Sequence, residues 1–353
     1  MNIDLSKECE ASGAKPTDLW IRALAFDDAG TRLAVGTSAR VFVFDTRDGS
    51  RVAEHHVERP ASEAEARMCA LDALRFSPDG RYLVAEVVTG TRSQLHVFEH
   101  AQENEVRRLP PFAGEDDGIA SASAWAFARG GSQLLVATDY AGVRIVDLST
   151  GAVGPVIAPT KHRIEAIALT ADGSKIATSV TGFTSSSMGV EIAVFDAKNP
   201  AAKPAVVFRE PKRKEASPVR GMLVFSSDGR TLMALTTDEY GGAEQVYSLR
   251  LEDPTGAWDP RNKDLKLAWN DSSDRQLLVG MKEGMQHVRL APPQAFWFSP
   301  YTHAASRRDL RDASTRDVSI ATITDASAVA FTADGSRIAS ADRATVSVVS
   351  STV

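Results

Sequence analysis

Residues Ala73-Leu74-Arg75-Phe76-Ser77-Pro78-Asp79-Gly80 carry the pattern that decides the fold. An alternating apolar run ending in Phe passes through one polar residue into a tight turn. Pro78 presets φ as the chain leaves the strand, and Gly80 supplies the positive φ that a bulged hairpin needs. The segments on either side are therefore antiparallel neighbours.

The same unit recurs along the chain. Its first strand reads Ala23-Leu24-Ala25-Phe26, Ala73-Leu74-Arg75-Phe76, Ala124-Trp125-Ala126-Phe127, Ala166-Ile167-Ala168-Leu169, Met222-Leu223-Val224-Phe225, Lys266-Leu267-Ala268-Trp269 and Ala328-Val329-Ala330-Phe331. Clean turns follow at Asp79-Gly80, Asp172-Gly173, Asp228-Gly229 and Asp334-Gly335, with variants at Asp28-Ala29-Gly30, Gly130-Gly131 and Ser273-Asp274. A second β-rich run comes next, as in Arg32-Leu33-Ala34-Val35, Lys175-Ile176-Ala177-Thr178 or Gln276-Leu277-Leu278-Val279. A third closes the meander, as in Val41-Phe42-Val43-Phe44-Asp45 and Ile192-Ala193-Val194-Phe195-Asp196, alternating with the strand period of two.

The Phe-Ser-Pro-Asp-Gly turn and the aromatic-Asp end of the third strand resemble the WD-repeat family. Phe-Asp or Val-Asp stands where that family carries Trp-Asp, and the family's histidine before the first strand is missing from most copies. The resemblance implies an all-β chain, a seven-bladed β-propeller of four-stranded antiparallel blades. The approximate units are 19–57, 70–109, 121–158, 163–209, 218–251, 264–323, and 326–353 joined by 1–10. The last copy stops at its third strand, Val346 to Val349, so Asn2 to Leu5 is expected to supply the fourth and close the ring. That pairing would also remove an exposed sheet edge.

Composition narrows the function. The chain has 353 residues, 43% of them hydrophobic and 24% charged, enough to bury a large core. Its net charge of -6 is mixed in sign, which disfavours non-specific binding to nucleic acid or to a membrane. The first twenty residues carry no apolar run suited to a secretory signal, and no later stretch is long enough to span a bilayer. Cys9 and Cys69 are expected to be reduced in a cytoplasmic protein.

Catalytic patterns are not evident. The seven histidines form no HExxH, and no CxxC, nucleophile elbow, P-loop or dinucleotide fingerprint occurs. The acidic turns Glu115-Asp116-Asp117-Gly118 and Asp271-Ser272-Ser273-Asp274 lack EF-hand spacing. No catalytic residue, cofactor or metal is therefore expected. The chain reads as a non-enzymatic scaffold or adaptor for protein partners. The rival reading is a lactonase-like propeller with a small-molecule site beside Asp72 and Glu165 at the channel mouth.

Loops and strand entries are where a propeller binds. Trp20, Arg22, Asp72, Arg163, Glu165 and Arg220 stand just before or within the first strands, where the resemblance implies partner contacts around the upper rim. A second candidate surface is the segment 292–317, expected between the third and outer strands of the sixth unit. It holds Phe296, Trp297, Tyr301, Arg307 and Arg308, and aromatic and arginine side chains are typical interface anchors. The basic stretch Arg209 to Arg220 has no interleaved aromatic and reads as a solvated connector, while Thr181 to Gly189 reads as a flexible hairpin extension.

Overall fold

The computed structural model describes residues 1–7, 20–37, 40–57, 69–89, 92–99, 106–108, 112–113, 119–120, 122–128, 130–138, 142–157, 163–170, 172–184, 187–199, 204–209, 223–226, 228–237, 243–251, 275–280, 286–291, 294–299, 304–309, 318–324 and 326–351. Among these residues the strands form seven four-stranded sheets and one short two-stranded ladder. The protein is an all-β chain of successive meanders.

Sheet I comprises Ile21–Phe26, Arg32–Thr37, Arg40–Asp45 and Arg51–His56. Sheet II comprises Cys69–Phe76, Tyr82–Thr89, Arg92–Glu99 and Val106–Arg108. Sheet III runs Ala122–Phe127, Gln133–Thr138, Gly142–Asp147 and Val153–Ile157. Sheet IV runs Ile164–Leu169, Lys175–Thr184, Ser187–Asp196 and Val206–Arg209. Sheet V holds Leu223–Phe225, Thr231–Thr237, Ala243–Arg250 and Arg275–Gly280, and sheet VI holds Gln286–Ala291, Gln294–Ser299, Ala304–Asp309 and Val318–Thr322.

Sheet VII departs from chain order. Its first three strands are Ala328–Phe331, Arg337–Asp342 and Thr345–Ser350, and its fourth is Asn2–Asp4 from the other end of the chain. Ile3 lies opposite Val346 in an antiparallel register. Met1 and Val348 exchange backbone hydrogen bonds of 2.8 and 2.9 Å. Ile3 and Leu5 are buried in the apolar layer that the adjoining sheets share, which anchors so short a strand.

In sheets II, IV, V and VII the first turn is built by its own side chains. In sheet II the Ser77 hydroxyl donates to the Asp79 carboxylate at 2.5 Å and accepts from the Tyr82 amide at 2.8 Å. The Arg81 amide donates to the same carboxylate at 3.0 Å, and Gly80 adopts a φ of 68°. Thr170 with Asp172, Ser226 with Asp228 and Thr332 with Asp334 repeat the device in sheets IV, V and VII. Hydrogen bonds to the ionised form hold the Asp334 carboxyl down at about 2 and push that of Asp172 well below the usual carboxylate range. Asp45 and Asp147, which end third strands, cap the next turn in the same way and are held at about 2.

The chain divides into two compact units. In the unit made of residues 1–111, 296–307 and 317–353, one apolar layer joins sheets VII and I through Leu24, Phe26, Phe42, Ala330 and Val348. A second joins sheets I and II through Val41, Val43, Leu74 and Phe98. In the other unit, Leu135, Val143, Ile167 and Ile176 join sheets III and IV, and Ala177, Val194, Phe225 and Leu232 join IV and V. Each interface is the stacking of two pleated faces whose alternate residues are apolar.

A cation at the start of the second strand straps neighbouring sheets. The Arg32 guanidinium donates to the Gly80 carbonyl at 3.4 Å, Lys175 to the Gly229 carbonyl at 3.2 Å, and Arg337 to the Gly30 carbonyl at 3.2 Å. The charged heads satisfy turn carbonyls of the adjoining sheet, and the Thr46 hydroxyl shares the one at Gly30.

Two expectations need correction. Gln276 to Val279, read as the second strand of the sixth unit, instead pairs with Ala243–Arg250 as the outer strand of sheet V. A short apolar run has the same pattern in an inner or an outer strand, so its partner had to be seen. As a consequence Gln294–Ser299 and Ala304–Asp309 are the central strands of sheet VI, and the segment 292–317 is not an insertion after its third strand. Thr181 to Gly189 forms the expected hairpin extension between the second and third strands, paired up to Thr184 opposite Ser187.

Candidate functional site

The first strands share an irregularity at their entry. Register shifts fall between Ile21 and Ala23, Leu71 and Ala73, Ala122 and Ala124, and Ile164 and Ala166. In each case two residues face one on the second strand, so Arg22, Asp72, Ser123 and Glu165 are the extra residues of four equivalent β-bulges. A bulge bends the strand and re-aims one side chain away from the packed faces, which is why bulges gather near binding sites. In sheet I the apolar residues on both sides, Ile21 and Ala23, stay buried and the extra residue Arg22 is exposed.

Arg22 and Asp72 are exposed and belong to adjoining sheets of one unit. Trp20 lies just before the strand and is 57% exposed, an unusual cost for an indole. The Arg22 guanidinium sits over the Trp20 ring, 5.0 Å from its centroid. Among the described residues neither Arg22 nor Asp72 has a hydrogen-bond or ion-pair partner. Their charges are unspent.

The neighbouring turn of sheet VII completes this corner. Ile21 donates its amide to the Arg343 carbonyl at 3.0 Å, and Leu5 donates to the Ala344 carbonyl at 2.9 Å. Arg343 is exposed and holds a φ of 51°, the left-handed region that a side chain adopts only at a cost of about 1 kcal/mol or more. In the other unit Glu165 is half-buried and lies 3.9 Å from the exposed Arg163.

The second candidate surface does not assemble as expected. Phe296 is fully buried and stacks on Phe331 at 5.7 Å, so it belongs to the core between sheets VI and VII and is not a contact residue. The strand alternation that carries it inward was masked in the sequence by three consecutive aromatics. Arg307 is half-buried in a central strand, opposite Val318. Trp297 and Arg308 lie in strands whose side chains are not described at those positions, and Tyr301 and Arg220 lie outside the described residues.

Among the described residues no group of three or more His, Cys, Asp or Glu side chains could hold a metal ion. His55 and His96 are buried where sheets I and II meet, with His55 stacked on Phe98 at 4.7 Å. His56, next to His55 in the outer strand, points outward, as the strand period requires. Both ring nitrogens of His96 are without a partner among the described residues, and burial pushes its pKa down to about 4.

No family model matches the sequence, and no curated protein matches it. The chain is similar in structure to the Kuenenia stuttgartiensis hydrazine synthase, with a TM-score of 0.63 over 96% of this chain and 96% of that one, at 13% sequence identity. At that identity the likeness shows the fold alone: the protein has a propeller-like all-β fold. Such a fold hosts many unrelated functions, so function has to be argued from the rim residues. No helix among the described residues is long and apolar enough to cross a membrane.

Proposed function

We propose that the chain is a single seven-bladed propeller, closed by the strand Asn2–Asp4, that works as a non-enzymatic WD-repeat-like adaptor for protein partners in the cytoplasm. The seven four-stranded sheets and the pairing of the first strand with the last support the ring. Particle images with sevenfold pseudo-symmetry are the expected outcome of electron microscopy; an open arc or two separate bodies would refute closure.

The observation that carries the binding role is the set of equivalent bulges. The repeat keeps one backbone device and varies its cargo: Arg22, Asp72, Ser123 and Glu165. Packing alone does not call for an extra residue at the same place in four strands, exposed at Arg22 and Asp72, whereas a recognition surface needs fixed geometry and variable chemistry. Neither nucleic acid nor a membrane surface is the proposed partner, because the chain is net acidic.

Affinity capture from the native cell extract tests the reading. A Trp20→Ala, Asp72→Ala variant that unfolds at the wild-type midpoint should lose the specifically captured protein. Retention of that protein by the variant would place the contact elsewhere.

A further inference from the structure

We infer that the Trp20 and Arg22 pair is an anchor for a carboxylate side chain in an acidic, partly apolar segment of a protein partner. The inference rests on the rim reading above and names its chemistry. A guanidinium over an indole face keeps its N–H edges open, and among the described residues none of those donors is used. The exposed face of Trp20 offers apolar area beside them, so a carboxylate and an aliphatic or aromatic neighbour are recognised together.

The surroundings favour an acidic occupant. Arg343 is exposed in the turn whose carbonyl binds the Ile21 amide, and it too has no hydrogen-bond or ion-pair partner among the described residues. At the other ends of the strands in this unit, the turn carboxylates Asp45 and Asp334 are already engaged by hydrogen bonds within their own turns. Arg22 and Arg343, without such partners among the described residues, are the charges at this corner that attract an acidic segment. A nucleic acid fits less well, since the chain is net acidic and a single indole is the stacking surface described here.

The probe is a dye-labelled, end-capped dodecapeptide of Glu, Asp and Leu, with a Gln, Asn and Leu peptide as its neutral match, read by fluorescence anisotropy on the full chain. The acidic peptide is expected to bind at least about tenfold more tightly at low salt and to weaken as salt rises. Arg22→Gln should remove about tenfold of that preference and Arg343→Gln about threefold, with Arg22→Lys in between because lysine lacks the planar fork. Each variant's unfolding midpoint reports whether it is folded.

Equal binding of the two peptides, abolished by Trp20→Ala, would keep the rim as a docking surface and overturn the carboxylate assignment. Acidic-peptide binding that survives both Trp20→Ala and Arg22→Gln would overturn the two together. Failure of the acidic peptide to bind at all would overturn the inference while leaving the capture experiment to judge the adaptor reading.

Discussion

The guanidinium of Arg337 donates to the carbonyl oxygen of Gly30, 3.2 Å away and 307 positions distant in sequence. The same Nη1 donates to the Thr46 hydroxyl at 2.7 Å, and Thr46 in turn donates to Gly30 at 2.7 Å. Sheets VII and I are held at this corner by one half-buried cation. Arg337→Met keeps the apolar stem and removes the donors, leaving the Gly30 carbonyl with one partner fewer. The expected loss is about 1 to 2 kcal/mol in urea unfolding, the range for a charged donor near the surface.

Gly335 is a stricter position. Its φ is +69°, and an added Cβ would fall 2.0 Å from the Phe296 ring. Gly173 has nearly the same φ, +71°, and open space around the corresponding point. Gly173→Ala should therefore cost only the backbone term, about 1 kcal/mol, while Gly335→Ala adds displacement of a buried ring for a total of about 3 kcal/mol. Equal costs in parallel denaturation curves would show that Phe296 does not fill the space beneath the turn.

The strand Asn2–Asp4 can be tested without deleting it. Ile3 is buried and Asn2 exposed, one residue apart on opposite faces. Ile3→Ala should destabilise by about 2 to 3 kcal/mol, whereas Asn2→Ala should cost well under half of that. Removing residues 1–10 should lower the melting temperature at least as far as Ile3→Ala does. An unchanged transition would contradict the burial of Ile3 and Leu5.

His96 makes stability depend on pH in a defined window. In the folded chain its imidazole stays neutral down to about 4, against 6.5 when free, so between those values the unfolded chain binds more protons. Unfolding free energy therefore falls as pH drops from about 6.5 toward 4, by a total of roughly 3 kcal/mol. The turn carboxylates, held below their free value of 3.8, act only at lower pH. His96→Phe should flatten the stability profile between pH 6.5 and 4 and leave the steeper loss below pH 4 in place.

The repeat was legible because its signal is local. Ser77-Pro78-Asp79-Gly80 specifies a turn by φ preference and side-chain hydrogen bonds within a few residues, and Gly80 adopts the positive φ that this chemistry demands. What depended on distant partners was not legible. Gln276 to Val279 has no mark that assigns it to sheet V, and the bulge at Arg22 is visible only as a mismatch of two residues against one on the second strand. Trp20, Arg22 and Asp72 were reached through a family resemblance, while the strand geometry supplies the physical reason for their exposure. Phe296 was misjudged because burial is decided by the parity of a strand whose register the sequence does not state.

The pairing of Asn2–Asp4 with Thr345 to Ser347 sets an order of events during synthesis. Asn2–Asp4 is synthesised before the strand it pairs with, and has no partner until Thr345 to Ser347 has emerged, more than 300 residues later. Joining residues so far apart in sequence is the slowest kind of contact to form. Completion of sheet VII thus depends on synthesis past Ser347: a product cut short before it would leave Asn2–Asp4 unmatched and invite association with other unfinished chains.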